Sequence, residues 1–157
     1  MSDSFQFVAL PAERFAPLFE LSDAELAALG ARRMIVDGKP GFPCRVSLVD
    51  AEIGETVVLL SYAHHDVDTP YRASGPIFVR RGAASARLAA GEIPGLLGHR
   101  QLSLRAYDRA AMMVASEVVE GRDLETAIRR FFADRRVDYL HVHNAKPGCF
   151  NCRVERA

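Results

Sequence analysis

Apolar residues in this chain come mainly in short runs broken by turns, with one long helical stripe to set against them. RRMIV (32–36), CRVSLV (44–49), ETVVLLSY (55–62), PIFVR (76–80), HRQLSLRAY (99–107), AMMVASEVV (111–119), VDYLHVHN (137–144) and CFNCRV (149–154) all read as strands. Parallel neighbours need long crossovers, usually helical, between them, and most of these connections are too short for one. The expectation is therefore an α+β fold with a mainly antiparallel sheet and two main helices.

The two helices carry their own signals. Ser22 and Glu25 form a capping box, Leu21 and Leu26 flank it as a staple, and Gly30 stops the helix, which spans about 23–29. In DLETAIRRFFADRR, residues Leu124, Ala127, Ile128, Phe131 and Phe132 share one stripe, with Asp123 as N-cap. Arg129, Arg130, Arg135 and Arg136 crowd its far end, where cations complement the helix dipole. PAERFAPLFE reads as a turn or two of helix limited by Pro17, and GAASARLAAGEIPGLLG as a short helix followed by a turn.

Length and charge bound the function classes. The 157 residues fit one domain, 1–157, with no linker or low-complexity tract. A net charge of zero argues against a nucleic-acid partner or an anionic membrane surface. No run approaches the ~20 apolar residues that span a bilayer, and the opening MSDSFQFV lacks a secretory leader. Three cysteines, an odd number, then imply reduced thiols and a cytoplasmic setting. Arginine far outnumbers lysine, which suggests a bacterial source.

Chemistry concentrates in the tail, HVHNAKPGCFNCRVERA (141–157), which holds both asparagines of the chain. His141, His143, Cys149 and Cys152 are zinc-type ligands, but their spacing suits no familiar finger, so no metal is assigned. Cys149 and Cys152 as a redox pair lack the following helix that would activate them. Read as a hairpin with an odd loop, the tail puts His141, His143, Cys149, Asn151 and Arg153 on a wet face. Leu140, Val142, Phe150, Cys152 and Val154 then face the core. Cys149 beside His143 becomes a candidate thiolate–imidazole pair, with Asn144 or Asn151 orienting the ring.

A second polar cluster, SYAHHDVDTPYRASGP (61–76), presents Arg72 for a carboxylate or phosphate, near His64, His65, Asp66 and Asp68. KPGFPCRV (39–46) is echoed by KPGCFNCRV (146–154), and shared turn chemistry is the preferred account. No dinucleotide, P-loop, zincin, hydrolase-elbow or EF-hand motif appears, so no cofactor is implied.

CRVSLVDAEIGETVVLLSY, TPYRASGPIFVRRG and HVHNAKPGCFNCRVER, with the opening LPAERFAPLFELSDAELAALGA, resemble a bacterial family catalogued as domain of unknown function 1203. The resemblance runs over essentially the whole chain. It implies a small, stand-alone bacterial protein and brings no catalytic residues with it. The functional expectation is a site for a small anionic ligand formed by Arg72, His141, His143 and Asn144. The alternatives are a cysteine enzyme using Cys149 and His143, or a non-catalytic interaction module.

Overall fold

The structure is a computed structural model and describes residues 4–157. Its elements run β1 (Phe5–Val8), α1 (Asp23–Ala28), β2 (Arg32–Ile35), β3 (Thr56–His65), β4 (Ala73–Arg80), β5 (Gln101–Tyr107), β6 (Met113–Glu120), α2 (Leu124–Ala133), β7 (Tyr139–Asn144) and β8 (Phe150–Arg156). They form a five-stranded sheet in the order β1-β8-β7-β5-β6 and a three-stranded sheet in the order β2-β3-β4. Every paired strand runs antiparallel. The fold is α+β and mostly sheet, as the run of short apolar segments predicts.

The five-stranded sheet has two different faces. Leu102, Leu104, Ala106, Leu140, Val142, Cys152 and Val154 pack against Leu124, Ile128, Phe131 and Phe132 of α2 in the main core. The stripe read from the sequence is thus the buried face of this helix. The capping box of α1 forms as expected, with Ser22 Oγ accepting from Glu25 N and Glu25 Oε1 accepting from Ser22 N.

Several segments depart from expectation. CRVSLV is a turn with isolated bridges rather than a strand: Leu48 takes φ 53°, and its N–H returns to Cys44 O. Its apolar residues serve two cores, Leu48 in the main one and Cys44 with Val46 in a second, so no single sheet face holds them. The small-residue stretch after Gly82 forms no helix before the 3-10 turn Gly95–Leu97. Its backbone pairs with other segments instead, Ala86 N–H with Val46 O and Gly91 N–H with Phe5 O. PAERFAPLFE forms 3-10 turns, Ala12–Arg14 and Ala16–Glu20. The strand β1 was not expected at all.

The second face of the five-stranded sheet carries the polar residues. Register pairs Tyr107 with Tyr139, Arg105 with His141 and Ser103 with His143 across β5 and β7. The end of β3, with His64 and His65, lies against this face, so the imidazoles are enclosed between the two sheets. The segment Pro43–Val46 ties the sheets together: Arg45 N–H donates to Phe78 O of β4, and Arg45 O accepts from Leu10 N–H.

Candidate functional site

The β7–β8 hairpin departs from the simple register in a way that decides its chemistry. His141 pairs with Arg153 and Val142 with Cys152, but His143 then pairs with Phe150. The irregularity between Val142 and His143 makes one extra residue on β8, so parity reverses beyond it. Cys152 is in the core with Leu140, Val142 and Val154, as expected. Phe150 instead joins the histidine side. Its ring lies 5.0 Å from His141 and 5.7 Å from His143, centroid to centroid.

That side is dry rather than wet, and this corrects the expected solvated face. His141 and His143 are each 1% exposed, and His65 is 3% exposed. Ring centroids are 5.0 Å apart for His64 and His143, 5.0 Å for His65 and His141, and 6.1 Å for His64 and His141. His64 also stacks on Phe150 at 5.3 Å.

Hydrogen bonds assign two of the tautomers. His65 Nδ1 faces Tyr71 O at 2.8 Å and so carries the hydrogen, leaving Nε2 to accept from the Tyr139 hydroxyl at 2.5 Å. His143 Nδ1 donates to Gly148 O at 2.9 Å, so in the neutral ring Nε2 is a lone pair, and it is buried without a partner. His64 Nδ1 and His141 Nδ1 are also buried and unpartnered.

Burial, with neighbouring cationic side chains, keeps His64, His141 and His143 neutral. Desolvation pushes His141 down to about 2, with His65, His143, His64 and Arg153 adding to the shift. It pushes His143 down to about 3 and His64 down to about 4, Arg105 acting on both. Tyr139 is pushed up to about 12 by burial. Among the described residues, no group of three or more His, Cys, Asp or Glu side chains is arranged to hold a metal ion.

The other half of the hairpin surrounds a cysteine. Arg45 is 1% exposed. It donates from Nε to Phe150 O at 2.7 Å, from Nη1 to Pro43 O at 2.6 Å and from Nη2 to Cys149 Sγ at 3.3 Å. Asn144 Nδ2 donates to the same sulfur at 3.1 Å, and Asn151 Nδ2 donates to Asn144 Oδ1 at 2.6 Å. No carboxylate among the described residues forms an ion pair with Arg45. Burial disfavours its charge, and the Cys149 sulfur is the largest opposing influence.

Three features of the turn serve this arrangement. Gly148 takes φ +84°, a left-handed conformation that glycine adopts at no steric cost. Its N–H closes onto Asn144 O, and Asn144 N–H closes onto Cys149 O. The sulfur is therefore held beside Asn144, partly open to solvent. The echoed segments also meet here, since Arg45 of the first copy inserts beside Cys149 and Phe150 of the second. Their turns differ: Lys39-Pro40 is cis and Gly41 has no positive φ.

The expected site residues are only partly brought together. Asn144 and Cys149 are in contact, and His141 and His143 share the inter-sheet cluster. His143 spends Nδ1 on Gly148 O, and the hydrogen-bond partners of Cys149 Sγ are Arg45 and Asn144. Arg72 is outside, its side chain 66% exposed and held by Asp66 at 3.1 Å and Asp68 at 3.9 Å. Tyr71 joins its loop to the cluster. Sequence reasoning missed Arg45 and Arg105. The Cys-Arg-Val echo contained the signal for Arg45, and the alternation of β5 contained that for Arg105.

Fold and site together define an α+β protein with a polar seam between two sheets and a cysteine flanked by buried hydrogen-bond donors. Residues 41–156 match the family described as "Protein of unknown function (DUF1203)", and the chain belongs to that family. No curated protein and no solved structure matches it. Among the described residues, no helix is long and apolar enough to cross a membrane.

Proposed function

We propose that this is a thiol-dependent protein whose working atom is Cys149 Sγ, a nucleophile toward a small electrophilic substrate. The observation that carries the reading is a fully buried guanidinium, with no carboxylate partner among the described residues, aimed at that sulfur. A buried cation needs a counter-charge, and donated hydrogen bonds favour the charged form of their acceptor. Arg45 and Asn144 both direct donors at the Cys149 sulfur. The thiol proton passes to solvent, a sulfur lone pair forms the new bond, and the substrate's leaving group departs with the electron pair of the bond that breaks.

The other two thiols are unsuited to the task. Cys152 is buried in the apolar core, which pushes its thiol up. Cys44 is fully buried, and its sulfur accepts from the N–H groups of Ser47 and Arg80.

Iodoacetamide labelling of the native protein at neutral pH, followed by peptide mass spectrometry, tests this. Cys149 is expected to react alone and faster than N-acetylcysteine under the same conditions. A Cys149 rate no greater than that of the free thiol rejects the reading.

A second reading, binding of a small anion, is favoured by Arg105. Its Nε donates to Ser103 Oγ at 3.2 Å, and no carboxylate among the described residues pairs with it. It stands next to half-buried His64 and takes the role first expected of Arg72.

A further inference from the structure

The seam between the sheets is built from groups that repel one another as soon as they gain protons. β3 contributes His64 and His65, and β7 contributes Tyr139, His141 and His143. From β5 come Arg105 and Tyr107, and from β8 come Arg153 and Glu155. Tyr71 approaches from the loop before β4, and Arg45 from the segment beside it. Asp66 and Asp68 in that loop each pair with Arg72 at the surface. Glu155 is held by Arg153 at 2.9 Å, Arg153 covers the Tyr139 ring at 4.0 Å, and the charges of Asp108 and Asp138 act on Tyr139. Four imidazoles and three guanidiniums thus gather here, and among the described residues no carboxylate forms an ion pair with any of the four rings.

We propose that the histidine seam is an acid-operated latch, which holds β3 against the five-stranded sheet while its rings are neutral and releases it when they are protonated. The geometry supplies the mechanism. His64 and His141 each keep Nδ1 buried without a partner, and His143 keeps Nε2 so. A proton arriving at any of them finds no acceptor, and it creates a cation about 5 Å from a second imidazole. Opening is the way a cation at His141 or His143 reaches water, and opening one ring exposes its neighbours, so protonation proceeds cooperatively.

The direction of the pH dependence follows from burial. His64, His141 and His143 titrate lower in the closed protein than in an open one, where the ordinary value is about 6.5. The closed state is therefore fully favoured above that value and is weakened as pH falls below it. This latch is independent of any role for Cys149.

Imidazole resonances followed by NMR between pH 8 and pH 4, with hydrogen exchange of the β3, β7 and β8 amides in parallel, test the proposal. Expected is one shared transition below pH 6.5, in which the seam histidines titrate together and the β3 amides lose protection. Two-dimensional spectra should keep the α2 and β5 signals through that transition. His64→Phe, which preserves stacking on Phe150 and removes one protonatable ring, is expected to lower the midpoint by about half a pH unit. Separate titration of each ring near 6.5 with β3 protection intact overturns the latch. So does a seam that stays protected down to pH 4, or a transition unchanged in His64→Phe. Simultaneous loss of all amide protection, α2 included, also rejects it in favour of global acid unfolding.

Discussion

Arg45 and Cys149 stand 104 residues apart in sequence and meet with Nη2 3.3 Å from Sγ. The guanidinium reaches this position because the segment Pro43–Val46 lies between the two sheets and aims its one long polar side chain at the β7–β8 turn. Three of its donor nitrogens are matched by two backbone carbonyls and one sulfur. The contact therefore joins sheet assembly to the chemistry of the turn.

Replacing Arg45 by Leu separates these two roles. Phe150 O and Pro43 O would each lose a buried donor, at about 1–3 kcal/mol apiece, partly offset by removing a desolvated charge. Chemical denaturation is expected to show a loss of about 2–4 kcal/mol. In the fraction that remains folded, Cys149 alkylation should slow at least about tenfold. A variant destabilised to that extent with undiminished Cys149 reactivity would confine Arg45 to a structural role.

The buried imidazoles make stability depend on pH with a definite sign. Their folded values lie below the unfolded one, so the unfolded chain binds more protons in the window between them. The stabilisation is complete above about pH 6.5 and is lost progressively as pH falls toward the folded values. At pH 5 the gap from 6.5 corresponds to about 2 kcal/mol for each of His141 and His143. Urea midpoints measured at pH 7.5 and pH 5 should fall accordingly, and the fall should be smaller in His143→Gln.

The architecture was legible because it rests on periodicity that survives folding: the α2 stripe, the α1 capping box and the alternation of β5 all keep their expected faces. The site was legible only in part. His141, His143, Asn144 and Cys149 were found from composition, but their surroundings depended on one extra residue on β8 and on a second sheet covering the face. Neither is written in local pattern. A bulge shifts parity without altering hydrophobicity, and the histidine face looks solvated until β3 lies over it. CRVSLV misled because its apolar residues divide between two cores. Arg45 was hidden for the same reason, since only the long-range path of that turn carries it to Cys149.

Gly121 gives a test of packing away from the site. A Cβ placed there would lie 1.9 Å from Leu97 O and 2.9 Å from the Gly98 carbonyl carbon and oxygen, all of them backbone atoms. The close approach is fixed by Gly121 N–H donating to Arg100 O at 2.8 Å. Gly121→Ala must therefore move the turn before β5 or the entry to α2, where Leu97 and Leu124 are fully buried. A loss of about 3 kcal/mol or more is expected in denaturant unfolding. Gly95→Ala, whose Cβ meets nothing within 4 Å, should differ from wild type by far less.

Arg105 provides the measurement that bears on anion binding. It lies on the histidine side of β5, with Ser103 bonded to its Nε and no carboxylate among the described residues to neutralise it. An oxyanion offered to its remaining amino groups gains a two-pronged, charge-assisted contact, whereas Arg72 is already occupied by Asp66 and Asp68. For a millimolar site, ten-millimolar phosphate corresponds to about 1.4 kcal/mol of added stability. The melting temperature should therefore rise in phosphate relative to chloride at matched ionic strength, in the wild type and in Arg72→Gln alike. Arg105→Gln should abolish the rise, because the amide keeps a polar group beside Ser103 but removes the charge and the paired donors. A rise that persists in Arg105→Gln and disappears in Arg72→Gln would return the anion to the surface loop, where the sequence alone had put it.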